Sequence, residues 1–397
     1  MREYRSDTNR RPLVGRRVSG TYDRFICIAE RSSNHCIHVF GGHVNTISRK
    51  RVLGTLGILG AAALTLSACA AAPEGDDNAN GDAGSDFLAC MVSDEGGFDD
   101  KSFNELSYNG LLQAEEELGI EIRESESSSE ADYEPNLEGM VDAGCGIIVP
   151  VGFKLADATQ AVADANPEVN FAIVDVDYLS GDNIKQLNYD TAQAAFLAGY
   201  AAAGYSTSKV VATYGGAEIP SVTIFMDGFK AGVEQWNEAK GDSVTVLPFD
   251  YVGDFTDQVR AQQITEGFLS QNADVILPVG GPLYQGGAEA ILDAGADAVI
   301  LGVDSDLAVA DEKYKDLIFV SIMKGLDVTV FDSIKQAFDG EFEADVYTGT
   351  LENEGVGLSS FYDFEGELPE GMMDELDALK QQIIDGELSG FSEFSPK

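Results

Sequence analysis

Histidine is confined to the first part of this chain of 397 residues. The three histidines, His35, His38 and His43, all precede residue 44, and the rest of the chain has none. Ser-His-Asp triads, Cys-His dyads and histidine-ligated metal sites all need this side chain. Its absence excludes such sites from the region beyond residue 43.

Positive charge is also scarce, because residues 69–397 hold 14 lysines and arginines against 64 aspartates and glutamates. The resulting net charge of −50 repels phosphate backbones, which excludes nucleic-acid binding through a basic face. The same region has no P-loop, no well-placed dinucleotide fingerprint, no zinc pattern and no calcium loop. We therefore expect no cofactor and no metal, while so many carboxylates leave a carboxylate-dependent hydrolase open.

An uncharged, largely apolar run at residues 52–68 directly follows the basic stretch Ser48-Arg49-Lys50-Arg51. This pattern predicts a secretory signal peptide over residues 44–68, and the run is short for a spanning helix, which needs roughly 20 residues. Cys69 follows Leu66-Ser67-Ala68 and resembles the cysteine of a bacterial lipobox. The resemblance implies a diacylated Cys69 that anchors the protein to the extracytoplasmic face of the cell membrane. An uncleaved signal anchor is the alternative.

Two other N-terminal segments are set apart from the folded body. Residues 1–43 match no known signal, so we interpret them as lying upstream of a true translation start at Val44, with a genuine cytoplasmic extension as the alternative. Residues 69–85 are rich in Asp, Asn, Gly and Ala, a composition typical of a flexible, acidic tether.

The body alternates short Val/Ile-rich runs with amphipathic stretches, which predicts an α/β fold built on parallel strands. The runs fall in two successive series and end in small or polar residues. Ligands bind beyond the carboxyl ends of parallel strands, so we expect two lobes with a cleft between them. Near the C-terminus, residues 372–384 are predicted to form a helix.

Two cysteines remain for the exported body, Cys90 in the first predicted strand and Cys145 just before the third. In a doubly wound sheet of order 2-1-3 these strands are neighbours, and disulfides persist outside the cytoplasm. The sequence leaves two alternatives, a Cys90–Cys145 bridge or two buried free thiols.

The segment from Asp94 to Asn104 carries the most chemistry. Asp94 ends the first predicted strand and can accept hydrogen bonds from a hydroxylated ligand, Ser102 can cap the helix that follows, and Phe103 can offer its ring to a base or a sugar. The alternative is an ordinary polar loop with a helix cap and a core phenylalanine.

The pattern Asp-x-Gly-Gly-x-x-Asp-x-Ser-Phe-Asn at residues 94–104 resembles the signature of the basic membrane protein family of lipoproteins. Other stretches resemble that family in the same order: 170–175, 195–202, 251–257, 302–306 and 321–324. Its members are substrate-binding proteins of ABC importers, among them purine nucleoside receptors. The resemblance covers residues 87–350.

This resemblance implies a type I periplasmic-binding-protein fold, with two doubly wound parallel-sheet lobes joined by a three-segment hinge. The expected first lobe comprises residues 86–206 and 325–345, and the second comprises 207–324 and 346–397. The protein would close over a purine nucleoside and deliver it to an ABC permease without covalent chemistry.

The resemblance also implies roles for single residues. Phe103 and Phe255 would stack on the two faces of a base, while Ser102 or Asn104, with Asp175, would bond to its edge. Three side chains would hold ribose hydroxyls, and one glycine would give backbone access: Asp94, Asp304, Lys324 and Gly281.

Alternatives remain open for two of these residues and for the function as a whole. Asp175 could be a capping carboxylate, and Lys324 a solvated charge at a strand end or the structural ion-pair partner of Asp304. The same fold could bind a sugar or a signalling molecule as a sensor, or the protein could be a nucleoside hydrolase that uses aspartates. The acidic side chains favour an uncharged ligand, so we expect nucleosides to bind and nucleotides not to.

Overall fold

A computed structural model of the protein describes residues 87–396. The predicted extension 1–43, the signal peptide 44–68, the lipidation site Cys69 and the tether 69–85 lie outside the described residues. Strands and helices alternate along the described part, so the predicted α/β class is confirmed. No helix in residues 87–396 is both long enough and apolar enough to cross a membrane.

The first sheet has six strands in the order β12-β5-β4-β3-β1-β2, and every neighbouring pair is parallel. Its central strands are apolar and buried, because helices cover both faces of the sheet, whereas the edge strand β2 is largely exposed. The strands are β1 (Leu88–Ser93), β2 (Glu121–Ser125), β3 (Ile147–Val151), β4 (Asn170–Val174), β5 (Ile184–Tyr189) and β12 (Val346–Gly349).

The second sheet has the order β13-β11-β10-β9-β6-β7, and the short strand β8 also pairs with β6. All of its pairs are parallel except the pair of β13 with β11. The strands are β6 (Val210–Gly215), β7 (Thr245–Val246), β8 (Asp250–Tyr251), β9 (Val275–Val279), β10 (Val299–Asp304), β11 (Ile318–Lys324) and β13 (Val356–Leu358).

Ten α-helices occupy the connections within residues 87–396: α1 (Phe103–Leu118), α2 (Tyr133–Asp142), α3 (Ala156–Ala165), α4 (Thr191–Tyr205), α5 (Pro220–Lys240), α6 (Gln258–Leu269), α7 (Leu283–Ala294), α8 (Leu307–Ala310), α9 (Leu326–Asp339) and α10 (Met372–Ile384). The predicted C-terminal helix coincides with α10 and is confirmed.

The chain passes between the two sheets three times, at Asp190, at Gly325 and through residues 350–355. We therefore define the lobes by sheet and packing. The first lobe is residues 87–189 and 325–349, and the second lobe is residues 191–324 and 356–396.

The predicted lobe boundaries were wrong in two places. Helix α4 belongs to the second lobe, because it is apolar all round and buries itself against α5, β11 and β13. Gly232 allows this close packing, since a Cβ there would lie 1.9 Å from the carbonyl oxygen of Phe196. Strand β12 belongs to the first lobe, because Val346 to Gly349 pair in parallel with β5.

Cys90 and Cys145 are joined in a disulfide, with their Cα atoms 6.0 Å apart. Cys90 lies in β1 and Cys145 immediately precedes β3, and these two strands are paired neighbours. Of the two alternatives that the sequence left open, the structure has the bridge. It crosslinks the first lobe only.

Candidate functional site

The carboxyl ends of the strands of both sheets border one cleft. Eight of the nine predicted ligand-binding residues line it: Asp94, Phe103, Asn104, Asp175, Phe255, Gly281, Asp304 and Lys324. The ninth, Ser102, does not.

Two buried aspartates organise the loop between β1 and α1. Asp94 Oδ1 accepts hydrogen bonds from the Gly96 amide (3.1 Å) and from Asn104 Nδ2 (2.9 Å). Asp100 accepts the backbone N–H groups of Ser102, Asn104 and Glu105 at 2.9–3.0 Å. Asp100, and not Ser102, therefore satisfies the free amides at the start of α1.

Asn104 is held in one orientation, because its Nδ2 donates to Asp94 and, at 3.4 Å, to Asp100. Its Oδ1 must then point away from these carboxylates. That oxygen is buried and has no hydrogen-bond partner among the described residues. A buried acceptor without a partner is costly, so a ligand that donates an N–H or O–H to Asn104 would gain from this arrangement.

Ser102 is fully buried and turned toward the second lobe. Its Oγ donates to the Val303 carbonyl oxygen (3.0 Å) and to Asp304 Oδ2 (3.1 Å). Of the two residues expected at the edge of a base, Ser102 or Asn104, only Asn104 lines the cleft. The physical reason is that Asp100 takes the capping role, which leaves the serine hydroxyl free to cross to the other lobe.

Lys324, the last residue of β11, places its ammonium between two strand-end carboxylates. Its Nζ lies 2.6 Å from Asp175 Oδ1 in the first lobe and 3.9 Å from Asp304 Oδ1 in the second. The side chain is 2% exposed, so Lys324 is not a solvated strand-end charge, and its closer partner is Asp175 and not Asp304.

Three aromatic rings surround the Lys324 ammonium, which lies 4.9 Å from the ring centres of Phe103 and Tyr189 and 5.8 Å from that of Phe225. Rings at such distances attract a cation through their electron-rich faces. The lysine therefore orders Phe103 as well as the two carboxylates.

Burial shifts the carboxyl groups of the cleft toward their neutral forms. Burial raises the pKa of Asp94 to about 6 and that of Asp304 to about 7, and Lys324 opposes the shift at Asp304. Burial also raises the pKa of Asp175, again against the attraction of Lys324. Within residues 87–396, no group of His, Cys, Asp or Glu is arranged to hold a metal ion.

Asp175 and Asp304 also share a backbone conformation, with φ values of 66° and 67°. The left-handed region costs a residue other than glycine on the order of 1–3 kcal/mol, and such residues cluster at functional sites. In both lobes, therefore, the strand-end aspartate is held in a sparsely populated conformation that turns it toward the cleft.

The second lobe contributes Phe255, whose ring packs against Gly216 and Gly280. A Cβ on Gly216 would lie 2.3 Å from the Phe255 ring, and one on Gly280 would lie 2.9 Å from it. Gly281 has a φ of 43° and completes the turn before α7. From the first lobe, Lys154 Nζ lies 5.4 Å from the centre of the Phe255 ring and pairs with Glu95 at 3.3 Å.

Several cleft residues were absent from the sequence-based set. Gly152, Phe153 and Lys154 directly follow β3, so the rule that ligands lie beyond strand ends could have found them. Asp100 belongs to the motif at residues 94–104 but was assigned no role. Phe225 carries no signal, because it looks like any buried residue of an amphipathic helix.

Comparisons with known proteins agree with this architecture. A model of the Bmp family, described as ABC transporter substrate-binding protein PnrA-like, matches residues 87–389. The chain is 28% identical over 361 residues to the ABC transporter nucleoside-binding protein BmpA of Lactococcus lactis, covering 86% of this chain and 99% of that protein. It is 29% identical over 315 residues to basic membrane protein A of Borreliella burgdorferi, covering 78% and 89%.

A similar solved structure is that of an ABC transporter solute-binding protein from Aeropyrum pernix K1. It has a TM-score of 0.69 and 27% sequence identity, and the match covers 77% of this chain and 94% of that one. Among more distant structures, an arabinose-binding protein from Geobacillus stearothermophilus has a TM-score of 0.54 at 14% identity, a likeness of fold alone.

Proposed function

This chain belongs to the Bmp family of ABC transporter substrate-binding proteins and has a type I periplasmic-binding fold, and we propose that it binds an intact nucleoside, preferably a purine nucleoside, in the cleft between its lobes. One observation carries the proposal. Phe103 from the first lobe and Phe255 from the second line the same cleft, beside buried hydrogen-bonding side chains. A relative of similar length is named a nucleoside-binding protein, which supports the same choice.

In the proposed complex the base lies between the rings of Phe103 and Phe255, where each stacking contact contributes roughly 0.5–1.5 kcal/mol beyond burial. The two fused rings of a purine offer more stacking area than a pyrimidine. Asn104 Oδ1 accepts a hydrogen bond from the base edge, which satisfies its lack of a partner among the described residues. Asp94, Asp304 and Lys324 bind the ribose hydroxyls.

The charge of the cleft favours a neutral ligand. Four aspartates line it, whereas its two lysines, Lys154 and Lys324, already pair with carboxylates. A phosphate would find no spare cation in the cleft, and burying its charge without a partner is costly. We expect AMP and GMP to bind far more weakly than adenosine and guanosine.

For localisation, we propose that the signal peptide 44–68 is removed and that a diacylated Cys69 holds the protein on the extracytoplasmic face of the cell membrane. Two acyl chains suffice for stable attachment, and the tether lets the protein reach an ABC permease. Mass spectrometry of the mature N-terminal peptide checks this. An unmodified Cys69, or an N-terminus at residue 1, would contradict the proposal.

Calorimetry of the purified chain, stripped of ligand by mild unfolding, tests the ligand class against adenosine, guanosine, inosine, cytidine, ribose and AMP. We expect one-to-one binding of purine nucleosides, recovered intact. Phe103→Ala and Phe255→Ala should each weaken binding by at least ~10-fold, because each variant loses both a stacking contact and buried apolar surface.

Phe98→Ala is the matched control, because Phe98 belongs to the same loop as Phe103 but stacks on Tyr108 and does not line the cleft. It should leave affinity unchanged. Binding of AMP as tight as that of adenosine would sink the neutral-ligand argument. Tight binding of ribose alone would favour a sugar sensor, and release of free base from inosine would favour a hydrolase.

A further inference from the structure

Direct hydrogen bonds join the two lobes, between the loop that follows β1 and the carboxyl end of β10 with the residue after it. Ser102 Oγ of the first lobe donates to the Val303 carbonyl oxygen and to Asp304 Oδ2 of the second. In the opposite direction, Ser305 Oγ donates to the Lys101 carbonyl oxygen at 2.7 Å. We propose that Ser102 and Ser305 form a serine clasp that holds the cleft closed, slows the release of ligand and positions the Asp304 carboxylate.

The clasp joins segments that are distant in sequence and belong to separate lobes. Ser102 is 201 residues from Val303, and Ser305 is 204 residues from Lys101. These bonds can exist only when the lobes are together. Lys101 has a φ of 61°, and Asp304 also adopts the left-handed conformation. Such conformations persist only where the surroundings hold them, as the reciprocal bonds between these two segments do.

The clasp acts on the site through Asp304. Ser102 binds Oδ2 of that carboxylate, while Oδ1 faces Lys324 at 3.9 Å. Opening of the lobes would remove the serine and leave the lysine as the neighbour within the same lobe. It would also separate Lys324 from Asp175, which lies in the first lobe. Closure and assembly of the binding groups are therefore the same event, and Ser102 takes part without touching ligand.

Neither serine lines the cleft. Removing the hydroxyl of Ser305 therefore deletes one clasp bond without altering a proposed ligand contact. In a closing receptor, contacts made only in the closed form act mainly on the dissociation rate, because ligand enters through the open form. The rate prediction rests on the proposed function, whereas the opening of the unliganded protein does not.

The test measures two quantities on the full-length chain and its variants: amide hydrogen exchange without ligand, and the dissociation rate of adenosine in a chase experiment. Ser305→Ala should raise exchange in both loops and speed dissociation roughly 2–10-fold, as expected for one hydrogen bond. Ser102→Ala should have the larger effect, because it removes a buried donor with two acceptors. Association rates should stay within about twofold.

Ser305→Thr keeps the hydroxyl and should restore the slow dissociation. Ser333→Ala is the matched control, because Ser333 is a fully buried serine of the first lobe whose Oγ donates within its own helix, to Thr329 O. If both clasp variants exchange and release ligand like Ser333→Ala, the clasp is refuted. If adenosine does not bind at all, the proposed function fails, and the exchange of the unliganded protein still decides the clasp.

Discussion

The two lobes have similar sheets but line their sides of the cleft with different kinds of residue. In the first lobe, the loop between β1 and α1 is a polar network in which Asp94 and Asp100 bind amide groups and fix Asn104. In the second lobe, glycines surround one large ring, that of Phe255. The first lobe therefore offers oriented hydrogen-bonding groups, and the second offers shape and an apolar surface.

The charged centre of the site belongs to neither lobe alone. Each lobe has one buried, left-handed aspartate at a strand end, Asp175 or Asp304, and one lysine serves both. Lys324 lies at a crossing between the lobes, which is where a shared cation must be placed. Each lobe therefore supplies some of the ligand-binding groups. The charges of Asp175, Asp304 and Lys324 balance one another only when the two lobes are in contact.

Lys324→Met should have the largest effect on stability. It leaves Asp175 and Asp304 buried without a cation, and breaking a buried pair in this way typically costs ~3–5 kcal/mol. Urea unfolding of the variant and the parent at the same pH measures the loss. Lys185→Met is the control, since Lys185 is also buried but pairs with the half-exposed Asp345 within one lobe. Equal losses in the two variants would contradict a shared charged centre.

Removal of the disulfide should destabilise the first lobe more than the second. Only the first lobe is crosslinked, and the second contains no cysteine. Replacing both Cys90 and Cys145 by alanine should cost ~2–4 kcal/mol. Hydrogen exchange should rise in β1 and β3 and stay near its original level in β6 and β9. A reductant should have no further effect on the double variant. Equal exchange in both sheets would argue that the lobes unfold as one unit.

A methyl group added at Gly216, which contacts the Phe255 ring, should weaken ligand binding with little effect on the stability of the first lobe. In Gly216→Ala the new methyl group would lie 2.3 Å from the Phe255 ring, so the ring must move. Overpacking of this kind typically costs ~1–3 kcal/mol, and we expect much of it to appear as lost nucleoside affinity in calorimetry. Gly267→Ala, in α6 of the same lobe, has open space around the new methyl group and should leave affinity unchanged.

The sequence was informative wherever a rule links position to function. Strand ends and the resemblance together identified the α/β fold, the family and eight residues that line one cleft, and the fold and family are confirmed. Because parallel strands present their carboxyl ends at one edge of a sheet, Asp94 and Asp175 lie at the same edge of the first sheet, and Asp304 lies at the corresponding edge of the second.

The errors concern choices that only packing decides. Ser102 and Asp100 are both able to cap α1, and the sequence does not show which of them turns its side chain to the helix. The Ala-rich helix α4 has no polar face, so its pattern does not say which lobe it covers. Phe225 and Tyr189 meet Lys324 through tertiary packing alone.

A pH dependence of stability should differ between two aspartates of the second lobe. Burial raises the pKa of Asp304 to about 7 from a usual value of 3.8, so the folded protein binds its proton more tightly than the unfolded chain does. The stabilisation is complete below pH ~4 and is lost as the pH rises through about 7, at no more than ~1.4 kcal/mol per pH unit. Urea unfolding between pH 4 and 8 should show this fall, and Asp304→Asn should flatten it.

Asp254→Asn is the matched control, because backbone amides of Thr256 and Asp257 lower the pKa of Asp254 despite its partial burial. An unchanged slope in Asp304→Asn would mean that another buried carboxylate of the cleft carries the titration.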